Sequence, residues 1–340
     1  MKIGKILGMT ALVTTIALSS SLVEKVKNSG IKPIPSSNLE ILKLIDDPKD
    51  PITNAKVELG KKLYFDPRLS RSNLISCNTC HNLALGGADN VSAAVGHKWT
   101  ANPHHLNSPT VYNSVFFDAQ FWDGRSAHLA DQAQGPVQAG PEMAAPKGLV
   151  EERVNSIPQY IEEFKVAYGD DVKINFERIT STIAIFEKTL ITPSRFDQYI
   201  NGNDNALTKE EKKGLTTFID KGCASCHNGI ALGGTLQPFE VAAKYTFAKI
   251  GDFKGNEQGM VKTPTLRNIS ETAPYFHNGA IWSLKEAVKE MGSVQLGIKI
   301  NDKDADDIVT FLKALSGEKP TITYPQLPAS TDKTPKPSFD

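Results

Sequence analysis

The sequence predicts an all-α protein of two domains, on three observations. Apolar residues recur at helical spacing in segments that carry their own start and stop signals, no segment alternates like a half-buried strand, and one short motif occurs once in each half. A chain of 340 residues is long enough for two cores of ordinary size.

Lys2 and Lys5 precede the apolar run Ile6 to Val23, so residues 1–23 read as a secretory signal or, being near the length that spans a bilayer, as an uncleaved N-terminal anchor. Either form implies export and a periplasmic location. Residues 24–37, with Pro33, Pro35, Ser36 and Ser37, read as a linker. Residues 38–200 then form an N-terminal domain. Within it Asn54 to Phe65 is a helix stopped by Pro67, the stretch Leu83 to Met143 is too rich in Gly, Pro and Asn for long helices, and Asn175 to Leu190 is the clearest helix. Residues 201–317 form a C-terminal domain opened by the turn-rich Asn201 to Asn205. Thr208 with Glu211 and Ser283 with Glu286 make capping boxes, and Asp302 to Leu315 is the last helix, closed by Gly317. The Pro-rich tail, 318–340, reads as extended or disordered.

The repeated motif is Cys77-Asn-Thr-Cys80-His81 and Cys223-Ala-Ser-Cys226-His227. Two thiols two residues apart can each bond one vinyl group of a single haem, and the adjoining histidine is then placed under the iron. Zinc half-sites or disulfides would also use Cys-x-x-Cys. Against them, these four are the only cysteines in the chain and a histidine follows each pair. Two covalently bound haem c groups are therefore expected. The motif extends into a local repeat, Cys-His-Asn followed by Ala-Leu-Gly-Gly, at 80–87 and 226–234.

Lys+Arg and Asp+Glu each total 38, so no long-range field selects nucleic acid or an anionic membrane as partner. Beyond the two motif histidines, each iron has few candidate second ligands among seven histidines and five methionines. Methionine raises a haem potential relative to a second histidine, so mixed ligation would give a donor haem and a lower-potential reacting haem.

The strings Gly96-His97-Lys-Trp99, Asn107-Ser-Pro-Thr-Val-Tyr-Asn113, Phe121-Trp-Asp-Gly-Arg125, Gln132-Ala-Gln-Gly-Pro136, Glu142-Met143, Lys262-Thr-Pro-Thr-Leu-Arg-Asn268, Ala273-Pro-Tyr-Phe-His-Asn-Gly279 and Gln295-Leu-Gly297 closely resemble the bacterial di-haem cytochrome c peroxidases. The resemblance runs from about residue 40 to 316. It implies two cytochrome c-like domains joined at an interface with long irregular loops. It implies that His97 caps the low-potential haem and leaves once the other haem is reduced, and that Glu142 and Gln132 are the distal carboxylate and amide of the peroxidatic pocket. Trp122 matches the tryptophan between the haems, and Met291 the axial ligand of the high-potential haem, with Met260 its rival. Related enzymes that mature methylamine dehydrogenase carry tyrosine there, so Met291 counts against that branch. Asn107, Thr272 and Pro274 match positions that hold calcium at the domain interface. Arg125 could anchor a haem propionate or pair with Asp123.

The expected function is reduction of hydrogen peroxide to water with electrons from a small soluble donor, a c-type cytochrome or cupredoxin, by a homodimer. The alternatives are a di-haem electron carrier without peroxide chemistry and a same-fold oxidase of an organic or protein substrate.

Overall fold

The computed structural model describes residues 22–340. The signal or anchor expected at 1–23 lies outside the described residues except for Leu22 and Val23, which pack against the second core. No helix among the described residues is long and apolar enough to cross a membrane.

The first core forms where α3 (Asn54–Phe65) crosses α8 (Phe176–Lys188). Thr53 and Asn175 cap these helices by accepting from Lys56 N–H and Arg178 N–H, satisfying donors that a helix start leaves open. Leu59, Leu63 and Tyr64 of α3 then meet Ile179, Ile183 and Phe186 of α8. Gly60 makes the crossing close: a Cβ there would lie 2.2 Å from the Thr182 carbonyl oxygen. Helices α6 (Lys147–Asn155) and α7 (Pro158–Tyr168) add Val150, Val154, Tyr160 and Phe164. The stretch expected to lack long helices contains α5 (Leu129–Gln138), whose Leu129, Ala133 and Val137 form a buried stripe around an interior Pro136. Gly135-Pro136 hides that periodicity in the sequence.

The second core repeats the scheme. Helices α10 (Lys209–Asp220) and α12 (Asp302–Lys313) pack through Gly214, whose Cβ would lie 2.0 Å from the Asp307 carbonyl oxygen, and α11 (Leu284–Leu296) closes the bundle. Phe196, Tyr199 and Ile200 of α9 (Arg195–Ile200) belong to this core, although they precede the boundary expected at residue 200.

The linker expected at 24–37 is not one. Residues 22–28 are helical, Val26 and Ile31 are buried in the second core, and the chain at Ile31 pairs with Gly229. Ile34 N–H donates to Asp197 Oδ1 at 2.7 Å. Prolines at 33 and 35 prevent a helix there but not burial of the apolar residues between them. Asn38–Ile45 is a further helix, α2, capped by Ser37. The tail past Glu318 is extended, and it lies along the first domain. Buried Arg153 donates to the carbonyls of Pro335 (3.3 Å) and Lys336 (3.0 Å), and Thr334 meets Ser156. No strand was expected, and one minimal pair exists: β1 (Leu236–Pro238) runs antiparallel to β2 (Met260–Lys262), three residues each and too short to show alternation.

The internal repeat reaches further than residues 80–87 and 226–234. Ser108-Pro-Thr-Val-Tyr-Asn113 and Thr263-Pro-Thr-Leu-Arg-Asn268 both end on an asparagine in the left-handed region, φ 62° and 59°. Both asparagine amides donate to one Thr192 hydroxyl, at 2.7 and 2.9 Å. In the same register Asn107 corresponds to Lys262 and Trp122 to His277. Asn107 N–H donates to the His277 carbonyl (2.8 Å) and Lys262 N–H to the Trp122 carbonyl (2.7 Å), so each half is tied to the other by equivalent bonds.

Candidate functional site: two haem-binding cavities

Each Cys-x-x-Cys-His motif is wound into a tight turn. In the first, α4 (Cys77–Cys80) is one helical turn, Ser76 N–H donates to Thr79 Oγ1, and His81 N–H donates to the Cys77 carbonyl at 2.9 Å. Tyr64 of α3 donates to the His81 carbonyl at 2.5 Å, fixing the motif to the core. In the second, Gly222 at φ 87° ends the preceding helix, and His227 N–H donates to the Cys223 carbonyl at 3.1 Å. All four cysteines are free.

His227 is buried and His81 half-buried, and both are held by Nδ1. His81 Nδ1 lies 2.9 Å from the Pro109 carbonyl and His227 Nδ1 lies 3.2 Å from the Leu232 carbonyl. A ring that donates from Nδ1 presents Nε2 as a lone pair, the form an axial metal ligand needs. Burial lowers the pKa of both imidazoles, His227 to about 4, and this keeps them neutral.

His227, Cys223 and Cys226 line a largely apolar cavity with Leu266, Leu284 and Met291. Met291 on α11 is thus on the same cavity as His227, whereas its rival Met260 sits in β2 and does not line it. Cys80 and His81 line a second cavity with Glu142, Gln132, Trp122 and Arg125. Burial raises the pKa of Glu142, and Arg125 opposes the rise. Arg125 itself pairs with Asp123 at 2.9 Å and lies over the Phe121 ring.

His97 is brought near this group without lining the cavity, which Gly96 does. Its ring is buried and neither nitrogen has a hydrogen-bond partner. Its backbone N–H donates to the Glu142 carbonyl at 2.7 Å, and a Cβ on Gly96 would lie 2.0 Å from the Pro141 carbonyl oxygen. The histidine loop and the glutamate segment are therefore in direct backbone contact.

Trp122 lines both cavities and donates from Nε1 to the Asn107 carbonyl at 2.9 Å. Asn107, Thr272 and Pro274 all line the His227 cavity, and the Asn107 amide reaches the Pro274 carbonyl at 2.7 Å. It is the Asn107 amide nitrogen that donates to the Pro274 carbonyl, and also to the Phe276 carbonyl at 3.2 Å, while Thr272 makes only a weak bond to the Ile269 carbonyl at 3.4 Å.

Three further residues escaped the sequence reading. His277 lines the His227 cavity edge-on to Trp122, with centroids 6.4 Å apart. Glu187 lines the His81 cavity with Oε2 unpartnered, and burial raises its carboxyl to about 8. Lys262 lines both cavities. Only Glu187 left a signal: it falls one helical turn from Ile183 on the apolar stripe of α8.

Residues 54–205 match the family described as di-haem cytochrome c peroxidase, and residues 211–316 match cytochrome c. Cytochrome c551 peroxidase of Pseudomonas aeruginosa is 47% identical over 320 residues, covering 90% of each chain. The protein of the same name from Nitrosomonas europaea is 46% identical over 289 residues, 82% of this chain and 85% of that one. The methylamine utilization protein MauG of Methylorubrum extorquens is 33% identical over 309 residues, 82% and 83%. A solved MauG-like protein associated with microbial copper homeostasis shares the fold, with TM-score 0.69 at 23% identity over 85% of this chain and 94% of that one. Fold and cavities together define a two-domain, di-haem c-type protein. The chain belongs to the di-haem cytochrome c peroxidase family, and its activity is that of an oxidoreductase acting on peroxide.

Proposed function

We propose that the enzyme reduces hydrogen peroxide with two electrons from a small c-type cytochrome or cupredoxin in the periplasm, gated by His97. The observation that carries this reading is the placement of Glu142, with its raised pKa, and Gln132 on the cavity of His81 while the buried His97 ring stands off it. Bound haem supplies the iron that receives peroxide and stores oxidising equivalents. Cys77, Cys80 and His81 would hold one haem, and Cys223, Cys226, His227 and Met291 the other.

In the resting protein His97 would serve as a further ligand for the haem held by His81. Reduction of the second domain would release His97, and its backbone bond to Glu142 would couple the two segments. Glu142 then takes a proton from the near peroxide oxygen and returns it to the departing oxygen, with Gln132 orienting the substrate. Two electrons and two protons yield two waters, and Trp122 between the cavities lies on the electron path. Calcium on Asn107 and Pro274 oxygens, with the Thr272 carbonyl, would stiffen the junction. Assembly as a homodimer agrees with the family's common form.

Electron paramagnetic resonance of oxidised and half-reduced protein tests the gate. The expected outcome is a high-spin signal that arises only on half-reduction. Six-coordinate low-spin iron at every oxidation level would instead mark an electron carrier. Turnover with an organic substrate but none with peroxide and a reduced donor would favour the same-fold oxidase.

A further inference from the structure

Lys262 is a buried lysine without an anion. The residue is 3% exposed and lines both cavities, and among the described residues no carboxylate lies within ion-pair distance of its ammonium. It lies 4.8 Å from the centroid of the Phe117 ring, a contact that offsets only part of the lost hydration. The nearby carboxylate, Asp123, is committed to Arg125. An ammonium so largely withdrawn from water is disfavoured without a counter-charge, and the cavity space it faces is where an anion would supply one.

The position of Lys262 says where that anion comes from. It faces both cavities, its backbone is pinned to Trp122 at their junction, and the internal repeat makes it the counterpart of Asn107, which also lines both. Each cavity receives a haem, and each haem carries two propionates, the anions that enter these spaces with the cofactor. We infer that Lys262 is a cofactor-binding residue whose ammonium forms a salt bridge with a haem propionate at the junction of the two cavities.

The test uses the holoenzyme and its K262M and K262R variants in optical redox titrations that resolve the two haems. Removing a fixed positive charge disfavours the added electron. K262M is expected to lower the reduction equilibrium of one haem about tenfold, about 59 mV for a one-electron couple, and K262R to stay within about threefold of wild type. The haem that moves identifies the donor of the propionate. Unchanged potentials in a fully haem-loaded K262M overturn the inference, as do equal shifts in K262M and K262R, which would mark a packing role. The wild-type holoenzyme structure decides independently of whether K262M matures. Nζ within 4 Å of a propionate oxygen supports the bridge, and a longer separation overturns it.

Discussion

Glu142 and Glu187 border one cavity, yet their positions suit them to different tasks. Glu142 sits on an irregular segment beside Arg125, so its carboxyl can exchange protons at modest cost. Replacing it by alanine is expected to lower kcat/KM for peroxide by about 10²- to 10⁴-fold, read by steady-state assay, without altering the optical spectrum of the haem in the second domain. Glu187 is held in the middle of the packed helix α8, and burial alone raises it to about 8. The folded chain therefore keeps a proton there that the unfolded chain releases near 4.5. Stability from this group is fully present below about 4.5 and is lost as pH rises through about 8. Glu187→Gln should flatten the decline of Tm between pH 5 and 9, an outcome thermal melts would read directly. Arg267 and Asp197 make the opposite kind of pair. Burial pushes Asp197 up, but the Arg267 guanidinium, at 2.8 Å to both carboxylate oxygens, holds it below its ordinary value. Arg267→Ala leaves that carboxylate alone in the core and should cost about 3–5 kcal/mol in denaturant unfolding.

Among the elements, those legible in sequence carried their own punctuation. Asn54 to Phe65, Phe176 to Lys188 and Lys209 to Asp220 combine a capping residue with an uninterrupted apolar stripe. What could not be read was order imposed from outside an element. Helix α5 hides its stripe around Pro136, and the tail is ordered by Arg153, which no local pattern announces. The site divides the same way. The Cys-x-x-Cys-His pairs speak through covalent chemistry and Glu142 through its surrounding string, but a lone lysine or glutamate reads as solvated until the fold encloses it. Gly60 and Gly214 also look unremarkable in sequence, and in a helix interior alanine normally gains about 1 kcal/mol over glycine. Here the added methyl would strike a carbonyl 2.0–2.2 Å away. Gly60→Ala and Gly214→Ala should each destabilise by about 1–3 kcal/mol, and chemical denaturation would give the sign.

At the scale of the whole molecule, Thr192 is where the two halves are counted as equals. Its hydroxyl accepts from Asn113 of one repeat and Asn268 of the other, and its N–H donates to Asn113. Thr192→Val keeps the shape and removes the shared acceptor, leaving two buried amides short of a partner. A loss of about 1–3 kcal/mol is expected, with the two haem domains melting at separated temperatures where the parent shows one transition.

The reciprocal backbone bonds at residues 107 and 262 bear on biogenesis. Because each lobe finishes the pocket wall of the other, the folded protein should hold its two cofactors as a coupled pair. A chain carrying a single prosthetic group would display one site with a frayed edge, and the folded enzyme should accumulate as either empty or doubly loaded, with little in between.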